Sequence, residues 1–454
     1  MPVRLVIVVD ALDECVSQKE VRDLIGMLEA LEVLHQVQIR ILITSRRDDH
    51  ILKAFGKLPD TMYRPSVLDK VQSTAGEYGV DDITKYLTHT LARIADDYDV
   101  EPDWIDEDDI ARLGRQADGL FIYAATICRF LDSEDFEDED SRQERLDQIF
   151  DGGEEADAPQ NKVDEIYLKV LSFPHLAKST QVTKKRFYET AKQILGFITV
   201  FFKPVSASSL SLLLQLEKEE LDKTLRRLHA VLDVRQDPDA PLGLVHLSFR
   251  DFLLDEERSR ELAFRVEEAV MHRAVFDRCL DLMQQGLSED MCGLVLPGHL
   301  ASDVPQSEVD RGVPQYLQYA CRYWADHLEK LSGDERREAG LADGGAVHVF
   351  LGEKLLFWLE AMSLIGETSA AVVILDGLAK MVDVGCRSMP STPQPLTTVL
   401  FRLWRIPHFP ACWTTLDASC FGTDGFSGRL RCSCTRRRSS SARQKARSAP
   451  SSDT

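Results

Sequence analysis

The sequence predicts a mostly α-helical chain that opens on a short parallel α/β unit and runs on through a helical domain, a winged-helix-like domain and an all-α region. Three observations predict it. A β-branched run ending on an acid is followed by a helical stripe and a second apolar run, the order a parallel crossover needs. Apolar residues then recur at helical spacing over most of the remaining chain. Two short extended segments interrupt those helices around the turn Asp237-Pro238-Asp239, as a wing would.

Val3-Arg4-Leu5-Val6-Ile7-Val8-Val9-Asp10 reads as a strand buried on both faces of a parallel sheet. Residues 17–34 place Val21, Leu24, Ile25, Leu28 and Leu31 near helical spacing, and Gln38 to Ile43 forms the second strand, leading into Thr44-Ser45-Arg46. In doubly wound sheets ligands sit beyond the carboxyl ends of the strands, where Asp10 and Ser45-Arg46 both fall. From Asp81 to Leu131 three helical stripes predict a small helical domain. Residues 132–158 hold thirteen acids against Arg142 and Arg145, which reads as a solvated linker with a short helix at 145–150. Helices are expected at 162–172, 184–200, 206–215 and 217–230, strands at 230–235 and 242–247, and further helices at 257–285, 314–331, 347–364 and 367–384. The expected domains are 1–75, 81–131, an acidic linker 132–160, 161–256, 257–385, and a poorly ordered basic tail 386–454.

Composition narrows the function classes. The 454 residues carry 75 Asp and Glu against 54 Lys and Arg, a formal charge of −21, so a nucleic-acid-binding body with a basic face is not expected. The basic tail, with eight Lys or Arg from Arg429 on against Asp453 alone, is a separate unit. It reads as a localisation or RNA-contact cluster or, the favoured reading, as an artefact of the gene model. Ten Cys without a C-x-x-C pair and the lack of a cleavable hydrophobic start predict a reducing, cytoplasmic setting. Cys412, Cys420, Cys432 and Cys434 lack zinc-finger spacing, and the longest apolar run, 194–202, is about half the ~18 residues of a membrane span.

Val6-Ile7-Val8-Val9-Asp10-Ala11-Leu12-Asp13-Glu14 is the most specific segment. Hard Mg²⁺ takes oxygen ligands and keeps several waters, so Asp10 is the candidate metal ligand, directly or through water, and Asp13 or Glu14 the base that positions a nucleophilic water. The alternative is that Asp13 and Glu14 cap the helix beginning near Ser17.

This segment resembles the extended Walker B motif of STAND-class P-loop NTPases with a NACHT domain, in the large fungal family related to heterokaryon-incompatibility and nephrocystin-like proteins. Leu42-Ile43-Thr44-Ser45-Arg46 resembles the sensor strand of that family, and the resemblance implies that Ser45 and Arg46 face the γ-phosphate. Ala117-Asp118-Gly119-Leu120-Phe121-Ile122-Tyr123-Ala124 is similar to its helical-domain segment, and Val245 to Leu253 to its winged-helix signature. Tyr319 to Leu328 and Phe357 to Met362 are similar to later helical segments. On this resemblance the opening is the remnant of a P-loop NTPase sheet, truncated at the Walker B strand. His246 would contact the nucleotide β-phosphate, and the complete protein would use Mg with ATP or GTP in self/non-self or cell-death signalling, with homo-oligomers or related signalling proteins as partners.

Two departures stand beside it. No G-x-x-x-x-G-K-[ST] occurs in the sequence, so the amide cradle and Lys that grip the phosphates are not expected, and the chain alone is expected to be inactive. Phe121 stands where related plant and animal proteins often carry the Pro that packs on adenine. Read without the resemblance, His246 is a core histidine of an apolar stretch, and the chain is a nucleotide-independent α-rich interaction module.

Overall fold

The computed structural model describes residues 3–383, apart from 16–17, 32–36, 60, 67–77, 102–103, 133–138, 151–158, 173–179, 236, 238, 263–264, 295–299 and 342–344. The expected basic tail therefore lies outside the described residues. The architecture is mostly helical with a small parallel two-strand sheet and one short antiparallel pair. Two compact units divide the described chain: one runs up to Lys169 and includes His246–Ser248, the other takes the rest from Val170 on.

The first unit opens with strand β1 (Val3–Val9), a 3₁₀ turn (Leu12–Glu14), helix α1 (Gln18–Leu31), strand β2 (Val37–Ile43) and helix α2 (Asp49–Phe55). The strands pair in parallel and in register, Val3 opposite Val37 through Val9 opposite Ile43. Helix α1 presents Val21 and Ile25 and helix α2 presents Ile51 and Ala54, which with Leu12 and Leu58 make a core that Val9 and Ile43 close at the strand ends. The strand prediction holds, but its burial does not. Val6 is 68% and Val8 62% exposed, because a strand of a parallel sheet needs layers on both faces and only one neighbouring strand pairs with β1 among the described residues.

The helical stripes form as helices Tyr78–Asp97, Glu107–Ala117 and Phe121–Leu131, burying Ile83, Leu87, Leu91 and Ile94 against Ile110, Leu113 and Ala117. Asp106 caps the second of them by accepting from the Asp109 amide at 2.7 Å. The acidic run corrects the expectation of a mainly solvated linker: Glu139–Phe150 is one helix. Its two arginines point inward. Arg142 lies over the Tyr98 ring at 4.1 Å; Arg145 lies over Phe130 at 4.7 Å and donates to the Phe130 carbonyl at 2.6 Å. From the facing helix, Arg112 covers Phe150 at 4.3 Å. Guanidinium faces stacked on aromatic rings thus supply the packing that the acid-rich composition lacks.

The second unit contains the helices Gln181–Val200, Ala207–Leu214 and Lys218–Arg227, the antiparallel pair Leu232–Asp233 with Gly243–Leu244, and the helix Leu247–Leu254, of which Leu247 and Ser248 cluster with the first unit. The long helices Glu268–Gly286, Gln315–Glu329, Ala346–Leu364 and Thr368–Asp383 follow, with shorter ones at Gln306–Gly312 and Gly333–Arg336. The stripe expected to start at 257 begins as helix only at Glu268, since the chain before it turns around Asp255, whose carboxylate accepts from the amides of Glu257 and Arg258. The core centres on Trp324 and Trp358, both fully buried and packed edge to face with centroids 6.2 Å apart. Trp358 Nε1 donates to the Cys321 carbonyl at 2.9 Å.

Candidate functional site

The candidate site grows from the sheet register. Because Val9 lies opposite Ile43, the next residues, Asp10 and Thr44, stand level at the carboxyl edge. The Thr44 amide donates to the Val9 carbonyl at 2.9 Å, which extends the ladder one step beyond the strands. The Thr44 hydroxyl donates to Asp10 Oδ1 and accepts from the Ala11 amide at 2.9 Å. Ala11 turns the chain here, with φ at +51° in the left-handed region, and the 3₁₀ turn after it returns the Leu12 amide to the Thr44 carbonyl at 3.0 Å. Leu12 is the buried anchor of this turn.

That turn aims Asp13 across the edge. Its Oδ1 accepts from the Arg46 amide at 2.9 Å and its Oδ2 lies 3.5 Å from Arg46 Nε, so a single carboxylate holds both backbone and side chain of Arg46. The Asp13 side chain is 7% exposed and that of Arg46 39%. Ser45 is exposed and donates from Oγ to the Arg46 carbonyl at 2.9 Å. Glu14 is exposed and faces solvent. The edge therefore brings together Asp10, Asp13, Ser45 and Arg46, with Glu14 at its rim.

His246 sits just before the Leu247–Leu254 helix and is exposed, so the core-histidine reading does not describe it. The Ser248 amide donates to its Nδ1 at 3.1 Å, and the Ser248 hydroxyl lies 2.7 Å from the same nitrogen and 2.8 Å from the Tyr167 hydroxyl. An Nδ1 that accepts from an amide leaves the ring proton of a neutral imidazole on Nε2. Thr44 carries no role in the sequence reading beyond its place in Thr44-Ser45-Arg46. Its signal is positional, one residue past a strand whose register pairs it with the acid.

The donors gathered at this edge are carboxylates, a hydroxyl and a guanidinium. Asp10 offers a hard carboxylate at an exposed strand tip, oriented by a hydroxyl, which suits Mg²⁺ held by one carboxylate and waters. Among the described residues no group of three or more His, Cys, Asp or Glu converges on one point, and the sequence holds no G-x-x-x-x-G-K-[ST] to cradle phosphates.

The strand–helix–strand unit thus gathers acids, a hydroxyl and an arginine beyond the ends of its two parallel strands. Residues 1–46 match the family described as Nephrocystin 3, N-terminal. The curated protein "Vegetative incompatibility protein HET-E-1" of Podospora anserina is 27% identical over 277 residues, which cover 56% of this chain and 18% of that relative. This chain thus spans less than a fifth of the relative's length. The two likenesses support a HET/NACHT-like relationship. No helix among the described residues is long and apolar enough to cross a membrane.

Proposed function

We propose that this chain is a piece of a signal-transducing NACHT/STAND nucleotide switch, carrying its Walker B strand (β1), its sensor strand (β2), a helical domain, a winged helix and an all-α region. The observation that carries the reading is the in-register parallel pair that places Asp10, Thr44, Asp13 and Arg46 on one edge. In the complete protein a bound Mg²⁺ nucleotide supplies a polarised γ-phosphorus open to attack by water. Asp10, its rotamer fixed by Thr44, would hold the metal directly or through water. Glu14, the acid that faces solvent, would orient the attacking water, and Arg46, held by Asp13, would meet the γ-phosphate charge. Ser45 lies beside that arginine, and His246 would offer its Nε2–H to a phosphate oxygen. ATP or GTP, a cytoplasmic setting, signalling in self/non-self recognition or cell death, and assembly with copies of itself or with related signalling proteins all belong to this proposal.

The test is hydrolysis by a longer form carrying a phosphate-binding loop ahead of Val3. Asp10→Asn and Glu14→Gln are each expected to lower turnover by at least 10²-fold; unchanged turnover sinks the assignment. A second reading is a nucleotide-independent α-rich interaction module, which rests on the mostly helical architecture. Micromolar ATP binding by residues 1–385 alone would overturn that second reading.

A further inference from the structure

Two imidazoles face each other in the core of the second unit. His272, on Glu268–Gly286, is 2% exposed, and His327, on Gln315–Glu329, is 0% exposed. Their Nδ1 atoms lie 2.7 Å apart. On the far side of His327, Nε2 is 2.8 Å from the Tyr319 hydroxyl, whose oxygen accepts the backbone N–H of Phe202 at 3.3 Å. On the far side of His272, Nε2 lies 3.7 Å from Glu268 Oε1. The Phe202 ring, just past the Gln181–Val200 helix, covers both, its centroid 5.8 Å from His272 and 4.8 Å from His327.

Two facing nitrogens bond only when one carries a proton and the other does not. With both rings neutral, Tyr319 O–H donates to His327 Nε2, His327 Nδ1–H donates to His272 Nδ1, and His272 Nε2–H points at Glu268. One added proton is accommodated by reversing the chain. His272 then donates from Nδ1, His327 donates from Nε2 to the Tyr319 oxygen, and Glu268 faces the charged ring. A second proton puts two N–H groups head to head at 2.7 Å and buries two cations side by side.

The surroundings oppose that second charge. Glu268 stands beside His272, and its carboxyl is held below its usual range chiefly by the hydrogen bond to His272, with Arg250 and Lys330 adding to it. Around His327 stand Tyr319, Tyr323 and Asp326 of its own helix and Cys279 of the facing one, all raised above their ordinary values by burial. Burial, then the His272 ring, then Lys330 hold His327 well below the ordinary histidine value.

We propose that the His272–His327 bond is an acid-released clasp, which joins the exit of the Gln181–Val200 helix to the Glu268–Gly286 and Gln315–Glu329 helices while at most one ring is charged, and parts them when both are. Parted from His272, the His327 ring takes the proton that the closed pair refuses, so opening takes up one proton and is favoured about tenfold per pH unit as pH falls below about 6.5.

The test is amide hydrogen exchange in Gln315–Glu329 of the full 454-residue chain between pH 7.5 and 5, corrected for the chemical exchange rate. Wild-type protection is expected to fall about tenfold per pH unit below about pH 6.5. The variant His327→Gln, whose amide keeps one donor and one acceptor but takes no charge, is expected to lose that dependence. Superimposable profiles of the two proteins overturn the clasp. Should the variant not fold, ¹⁵N spectra of the wild-type imidazoles decide. A His327 that stays neutral while the helix is protected and takes its proton as protection falls supports the clasp; titration near 6.5 with undiminished protection, or protection that does not fall with pH, overturns it.

Discussion

At the residue scale the candidate edge rests on short polar side chains rather than on charge alone. Thr44 bridges Asp10 and the Ala11 amide through one hydroxyl. Replacing it by Val keeps the β-branched shape and removes both bonds, so Thr44→Val is expected to cost the first unit about 1 kcal/mol; urea unfolding followed through hydrogen exchange of β1 and β2 measures it. The acids were legible in the sequence because an apolar strand ending on Asp10 leaves few places for Asp13 and Glu14 to go. What the two later acids do was less legible. Both stood as candidate bases, and the structure separates them: Asp13 is engaged by Arg46, and Glu14 faces solvent. That separation depends on a left-handed turn at Ala11, a conformation that Ala does not announce. The facing histidines were not legible at all, since 55 residues part them and nothing in either helical stripe marks them as a pair.

At the scale of elements, helical periodicity located most of the helices, because stripes such as Ile83, Leu87, Leu91 and Ile94 bury one face and leave the other polar. It failed where the buried face is not apolar. The Glu139–Phe150 helix turns Arg142 and Arg145 inward onto Tyr98 and Phe130, and a count of hydrophobic residues cannot see a guanidinium stacked on a ring. Close backbone approach is equally silent in the sequence. At Gly312, which ends the Gln306–Gly312 helix, a Cβ would stand 2.5 Å from the Met291 carbonyl oxygen. Main chain on both sides must shift to admit it, so Gly312→Ala is expected to destabilise the second unit by about 1–3 kcal/mol. The loss should show as a lower urea midpoint reported by the fluorescence of Trp324 and Trp358.

At the scale of the whole molecule, the exposed apolar surface that is concentrated on one element is that of β1, which keeps Val6 and Val8 open on one face and Leu5 at 45% on the other. Exposed β-branched strands with an unpaired edge favour association. The double variant Val6→Lys/Val8→Lys is therefore expected to reduce concentration-dependent light scattering of the chain. Each exposed change should alter stability by no more than about 0.5 kcal/mol; scattering equal to that of the wild type counts against this account. The same strand pair also sets which changes of length the chain can accept. Side chains alternate in direction along a strand, so losing or gaining one residue within Val3–Val9 or Val37–Ile43 would reverse the side on which Asp10 or Thr44 emerges and part the acid from its hydroxyl. The helix between the strands keeps its own count, since a residue added within Gln18–Leu31 would rotate Val21 or Ile25 away from the core. Changes of length should thus be refused within the strands, so that seven residues apiece serve as the fixed ruler of this edge.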